Sequence, residues 1–265
     1  AVAKGNVVSQ VLGPLAYTFD NFKIEPITIP EIYGEVLVLP TLPEAGANQF
    51  TVATFNVENM FDNRDPHPSS PERPSRSQYE LRLTKLAAAI ESMGAPTIIG
   101  VQEVENIDVL EALVALDALS AYGYEPYLIE GFDSRGIDQG FLVRSDRVTV
   151  DGVGSYNAPE GLTSRPPLVM TATVHLETGD QQVILLNNHF TSLSAGEAAT
   201  EPRRTAQAAW NVTVMQQLTA NHPEATFIVM GDLNSFYQTL PMNTLQDAGL
   251  RHSYELFAEG ETLPY

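Results

Sequence analysis

The chain contains no cysteine. Disulfides and thiolate metal sites are therefore excluded, and any metal must be held by oxygen and nitrogen. Lysine is almost absent: Lys4, Lys23 and Lys85 stand against eleven arginines in 265 residues. With 14 basic and 33 acidic side chains, the formal net charge is −19. A nucleic-acid binder ordinarily presents a basic face, so this balance counts against simple electrostatic attraction to a polyanion. It does not exclude a nuclease, because a bound divalent cation inverts the local field where a phosphate sits. An acidic, lysine-poor surface suits salty surroundings, where repulsion is screened within about 10 Å. No apolar run approaches the roughly 20 residues that span a bilayer. No signal peptide is read at the start, which is Ala1. What is present is a globular composition, 43% hydrophobic and 18% charged, long enough for a well-buried core.

Residues 1–40 are short apolar pieces broken by Gly and Pro. Leu15–Phe19 and Phe22–Ile24 alternate at period two and predict one or two strands in hairpin order. Residues 41–49 read as a linker, so a strand segment over residues 1–45 precedes a domain over residues 46–265. From Phe50 onward strands and helices alternate. Strands are predicted at Phe50–Asn56, Thr97–Gln102, Phe141–Arg144, Val148–Val153, Leu168–Leu176, Val183–Phe190 and Thr226–Met230. The turn Thr178-Gly179-Asp180 makes a hairpin of the fifth and sixth. Helices are predicted at Ser77–Met93, with Ser77 and Glu80 as a capping box, at Asp108–Ala121, and at Thr200–Asn221, with Pro202 in the first turn. Residues 62–76 hold four prolines and read as an exposed loop, Asp62 and Asp65 included. The pattern predicts an α/β domain with mixed sheets.

Four strands end in polar residues: Asn56, Glu103, the run Asn187-Asn188-His189, and Asp232 followed by Asn234. Ligands collect beyond strand ends in α/β sheets, so aligned strands would bring two carboxylates, one His and two Asn side chains together. Such a set suits a hard cation such as Mg²⁺, which takes one or two carboxylates and keeps several waters; zinc wants more His or Cys. His189 reads as a general acid or a donor to a phosphate oxygen, Asp232 as acceptor of a proton from attacking water, and Asn234 as orienting that water. Several side chains keep two readings. Asn56 is a site residue or a turn cap. Glu105 and Asn106 belong to the site, or Asn106 caps the following helix. Arg203 and Arg204 grip phosphate or line a salt-bridged helix face.

These residues carry a family resemblance. Thr54-Phe55-Asn56-Val57-Glu58-Asn59, Val101-Gln102-Glu103-Val104-Glu105-Asn106, Asn187-Asn188-His189-Phe190 and Gly231-Asp232-Leu233-Asn234 resemble, in order, four motifs of the endonuclease/exonuclease/phosphatase superfamily. Asp133-Ser134-Arg135-Gly136-Ile137-Asp138 and the stretch from Gly13 to Ile24 are similar to segments of bacterial extracellular nucleases. The resemblance implies a four-layer α/β sandwich, two mixed sheets packed face to face with helices outside. It makes Glu103 the metal carboxylate, assigns Asn56, His189, Asp232 and Asn234 to catalysis, and gives Arg135, Asn188 and Asp138 to the substrate. The implied cofactor is Mg²⁺, with Mn²⁺ or Ca²⁺ as alternatives. The implied activity is phosphodiester hydrolysis by a secreted nuclease acting on DNA ahead of RNA; no protein partner is implied. The same centre serves phosphatases and phospholipid diesterases, and a catalytically silent binding module is the rival from another class. Family members end with a late Asp and an Asp-His pair. The sequence stops at Tyr265 before them, so the sandwich is expected to be C-terminally incomplete and this chain a weak enzyme. His252 precedes that motif and does not replace it.

Overall fold

A computed structural model describes residues 6–18, 21–34, 41–64, 67, 69 and 71–256. Asp65 and residues 257–265 lie outside the described residues. The chain divides into two compact units, residues 1–41 and 42–265. In the first, β1 (Val7–Val8) pairs antiparallel with β4 (Ile32–Tyr33), and β2 (Leu15–Thr18) with β3 (Asn21–Ile24) in the register Leu15↔Ile24. The hairpin read from period-two alternation is therefore present.

The second unit runs β5 (Val52–Met60), α1 (Arg76–Ser92), β6 (Ile98–Val104), α2 (Ile107–Val114), α3 (Asp117–Ser120), β7 (Tyr124–Leu128), β8 (Asp138–Arg144), β9 (Val148–Ser155), β10 (Leu168–Val174), β11 (Gln181–His189), α4 (Glu197–Thr219), β12 (Thr226–Asp232) and α5 (Leu240–Asp247). Its strands form two mixed sheets, ordered β5-β6-β8-β7 and β12-β11-β10-β9. In each, one edge pair is parallel (β5 with β6, β11 with β12) and the remaining pairings are antiparallel. The first sheet is built entirely from residues 52–144 and the second from residues 148–232.

The sheets meet through Ile98, Phe141 and Val143 on one side and Leu168, Met170, Val183 and Leu185 on the other, all buried. Ile99, Val101 and Leu142 on the outer face of the first sheet pack under Leu83, Ile90, Leu110 and Leu113 of α1 and α2. Val169, Ile184 and Leu186 of the second pack under Val214 and Leu218 of α4. Burying β6 and β11 on both faces explains their near-continuous apolar sequences. This is the four-layer sandwich.

Local differences from the sequence reading have physical causes. Helix α1 starts earlier, with Ser75 as cap: its hydroxyl accepts from Gln78 N and Gln78 Oε1 accepts from Ser75 N, while Glu80 pairs with Arg76 at 2.7 Å. The second helix breaks after Val114, which frees Asp117 from the row of Leu110 and Leu113 and lets Leu119 be buried instead. Helix α4 begins at Glu197 rather than Thr200, placing Pro202 inside it; the Thr200 hydroxyl donates to Gly196 O at 2.8 Å. Strand β7 was missed because of Pro126, which an edge strand tolerates. The 62–76 stretch is not simply an exposed loop, since Asp62 and His67 are buried.

Candidate active site

The two parallel pairs end at the same edge of the sandwich, and a seam of buried amides fixes their relative height. Gln102 Nε2 on β6 donates to Asn187 Oδ1 on β11 at 2.7 Å, and Asn187 Nδ2 donates back across the interface to Val101 O (3.1 Å) and Gly140 O (2.8 Å). Both amides are fully buried, so unmaking these bonds would cost more than a surface contact, and the seam specifies one register between the sheets.

Above the seam stand Asn56, Glu103, His189, Asp232 and Asn234. Glu103 owes its aim to a bulge: β6 pairs regularly up to Gln102 and resumes at Val104, and Glu103 itself has φ 66°. Strict alternation would send Glu103 to the helix face with Ile99 and Val101; the extra residue hands that position to Val104. Glu103 Oε2 accepts from Asn59 N at 2.8 Å. Among the described residues no hydrogen bond reaches its Oε1, which lies 3.6 Å from His189 Nε2 and 3.9 Å from Arg135 Nη1. Asp232 Oδ2 accepts from Asn56 Nδ2 at 3.0 Å, and its Oδ1 accepts from Asn234 N at 3.0 Å. Asn234 Nδ2 donates to Phe190 O at 3.2 Å. Gly231 comes just before with φ 122°, where a Cβ would stand 2.0 Å from Asn188 O, so only glycine allows β12 to deliver Asp232 here.

His189 Nε2 lies 3.9 Å from Asp232 Oδ2, and its Nδ1 is buried with no hydrogen-bond partner among the described residues. Burial, reinforced by the Arg165 guanidinium, lowers its pKa to about 4 against the pull of Asp232 and Glu103, so the ring is neutral at pH 7. Arg135 reaches Glu103 from a half-exposed loop and pairs with Asp133 at 3.2 Å. Asp138 sits beneath that loop rather than in the cluster: its Oδ1 accepts from Gly131 N at 2.6 Å, and burial raises its pKa to about 6.

Asn188 is not brought to the cluster. Adjacent strand residues face opposite ways, and its amide forms a reciprocal pair with Asn211 of α4 at 2.9 Å in both directions. Glu105 is turned away as well, and Asn106 caps α2 through Val109 N at 3.1 Å. Arg203 and Arg204 make no ion pair among the described residues: Arg203 donates to Gly161 O and Leu162 O, and buried Arg204 to Glu197 O and the Thr200 hydroxyl. Arg165 and Asp133 were not read from the sequence. Arg165 pairs with Asp133 and donates to His189 O and Phe190 O, each at 3.3 Å. The topology carries a signal for it, because β10 runs antiparallel to β11 and therefore starts at the edge where β11 ends.

Among the described residues no group of three or more His, Cys, Asp or Glu side chains is arranged to hold a metal ion. One free carboxylate oxygen at Glu103, with oxygen donors of Asn56 and Asp232 nearby, fits a hard cation that keeps most of its waters and does not fit zinc.

The sequence profile of a family described as Endonuclease/Exonuclease/phosphatase family matches residues 51–252. No curated protein matches the chain. A mannosyl-6-phosphatase from Bacteroides thetaiotaomicron is similar in structure, with a TM-score of 0.54 and 17% identity over 78% of this chain and 74% of that one. A second B. thetaiotaomicron protein, of the endonuclease/exonuclease/phosphatase family, gives 0.51 and 16% over 76% and 69%. Truncated TDP2 from Caenorhabditis elegans gives 0.49 and 17% over 71% of this chain, which spans 64% of that structure. At such identities the two B. thetaiotaomicron likenesses establish the fold alone.

Proposed function

We propose, from the premise that this chain belongs to the endonuclease/exonuclease/phosphatase family, whose members hydrolyse phosphodiester or phosphate ester bonds, that it is a divalent-metal-dependent nuclease acting on DNA. The observation that carries the metal-dependent part is Glu103 Oε1, a carboxylate oxygen with no hydrogen bond among the described residues, aimed at His189 and Arg135. Glu103 would hold the cation, with Mg²⁺ favoured over Mn²⁺ or Ca²⁺. When bound, the ion supplies polarisation of a phosphoryl oxygen and neutralisation of developing charge. Asp232, held by Asn56 and Asn234, takes the proton of the attacking water as its oxygen bonds to phosphorus and the ester oxygen leaves. Neutral His189 offers an N–H to a non-bridging oxygen, and Arg135 binds the phosphate from the open side. Asp133, bonded to both Arg135 and Arg165, keeps the two guanidinium groups apart and in place.

The likeness of residues 13–24 and 133–138 to bacterial extracellular nucleases supports DNA as substrate and a secreted setting, and the acidic surface suits the latter. The test is a panel of plasmid DNA, RNA, a sugar phosphate and sphingomyelin, each with Mg²⁺, Mn²⁺, Ca²⁺ or EDTA. DNA cleavage that requires a divalent cation is the expected result. Turnover of the sugar phosphate or sphingomyelin alone would move the protein to the phosphatases or phospholipid diesterases. Binding of DNA without turnover under every condition would make it a silent binding module.

A further inference from the structure

Three non-glycine residues with left-handed backbone lie together at the candidate site: Glu58 (φ 58°), Asn59 (φ 49°) and Glu103 itself (φ 66°). Such conformations are disfavoured for side chains with a Cβ and persist only where the surroundings hold them. The first two belong to the irregular stretch of β5 between Asn56 and Met60, where pairing with β6 lapses. This stretch is also what grips the site: Asn59 N donates to Glu103 Oε2 at 2.8 Å, and Glu58 N donates to Asn56 Oδ1 at 2.8 Å. Its carbonyls, turned outward by the left-handed residues, converge on one side chain. Arg82 of α1 donates to Val57 O at 2.7 Å, to Glu58 O, and to Asn59 O at 3.2 Å. Arg82 makes no ion pair among the described residues, so its fork is committed to three consecutive backbone carbonyls. A guanidinium suits this task because its donors diverge from a rigid plane, which an ammonium cannot reproduce.

We infer that Arg82 is a positioning residue for the metal site: by holding the Val57–Asn59 bulge it aims the Asn59 N–H at Glu103 and leaves Glu103 Oε1 free for a cation. This rests on the reading of Glu103 as metal carboxylate. Groups that orient a metal ligand from behind typically cost about 10–100-fold in affinity when removed. For Arg82→Met we expect a Mn²⁺ dissociation constant raised about tenfold in isothermal titration calorimetry, faster hydrogen exchange at the Asn59 amide, and unchanged exchange in β10 and β11. Arg82→Lys, which keeps the charge and part of the bonding, is expected to raise the constant about threefold with a near-normal melting temperature. In a Glu103→Gln background, Arg82→Met should change Mn²⁺ binding no further.

The proposal is overturned if folded Arg82→Met or Arg82→Lys binds Mn²⁺ like the native protein with unchanged Asn59 exchange. It is equally overturned if exchange rises alike across both sheets, since Arg82 would then be a general tie between helix and strand. Native-like Mn²⁺ affinity in Glu103→Gln would refute Glu103 as the metal carboxylate, and with it the inference drawn for Arg82. A protein that binds Mn²⁺ through Glu103 yet cleaves no DNA would refute only the proposed substrate.

Discussion

Glu103 and Glu105 stand two residues apart at the end of one strand, and their surroundings differ at every point. Glu105 is closed in: Arg73 Nη1 reaches both its oxygens at 2.9 Å, Asp62 N donates to Oε2 at 2.6 Å, and buried His67 approaches Oε1 at 3.8 Å. Glu103 sits on a bulge with positive φ, one oxygen held by a backbone amide and the other facing a neutral imidazole and a half-exposed arginine. One carboxylate has its charge answered by an arginine and a backbone amide, whereas the other keeps one oxygen without a hydrogen bond among the described residues. The contrast teaches that burial and charge do not by themselves single out a candidate site; an acceptor left open at a left-handed backbone position is what makes Glu103 the candidate and Glu105 not.

The largest effect is expected from Glu103→Gln or Asp232→Asn, each lowering kcat on DNA by about 10³-fold or more, with a melting temperature equal to or above the native one. Steady-state kinetics beside calorimetry would check this; near-normal turnover in either variant removes that residue from the mechanism. The opposite signature is expected at the closed cluster. Arg73→Met alone leaves Glu105 buried without its arginine, with only Asp62 N and His67 beside it, and should cost about 3–5 kcal/mol in denaturant unfolding, whereas Arg73→Met with Glu105→Leu should recover most of it.

The smallest effect concerns pH. Burial raises Asp138 from its ordinary 3.8 to about 6, so the native state holds this proton more tightly than the unfolded chain does. Its contribution favours folding below about pH 4 and is lost as pH rises through 6. Asp138→Asn should therefore gain on the native protein by about 2 kcal/mol between pH 4 and pH 7, measured by urea unfolding at both values. A constant difference across that range would show that burial does not perturb this carboxyl.

Much of the fold was legible because its strands are apolar runs closed by polar residues, and those endings gave the positions of Asn56, Glu103, His189 and Asp232. Asn188 was misread as a site residue because adjacent positions on a strand look alike in sequence, although alternation sends it to Asn211. Glu103 stands at the polar edge against strict alternation, and the bulge that re-aims it leaves no compositional mark. Arg165 and Arg82 were missed for another reason: both act by donating to backbone carbonyls, and carbonyls have no letter in a sequence. Helix α5 was passed over because Leu240–Asp247 is short, opens on a proline turn and buries only Pro241, Met242 and Leu245.

The division of the chain at the turn between Arg144 and Val148 has a consequence for inheritance and engineering alike. Each sheet is completed by its own stretch of sequence, with no strand exchanged. Neither stretch carries the whole candidate site: the earlier brings Asn56 and Glu103, the later His189, Asp232 and Asn234. The molecule is a two-piece lock whose halves are joined by a single hinge of sequence and keyed by Gln102 and Asn187. Either half can drift in its own core, but a change at the key must be answered from across the seam.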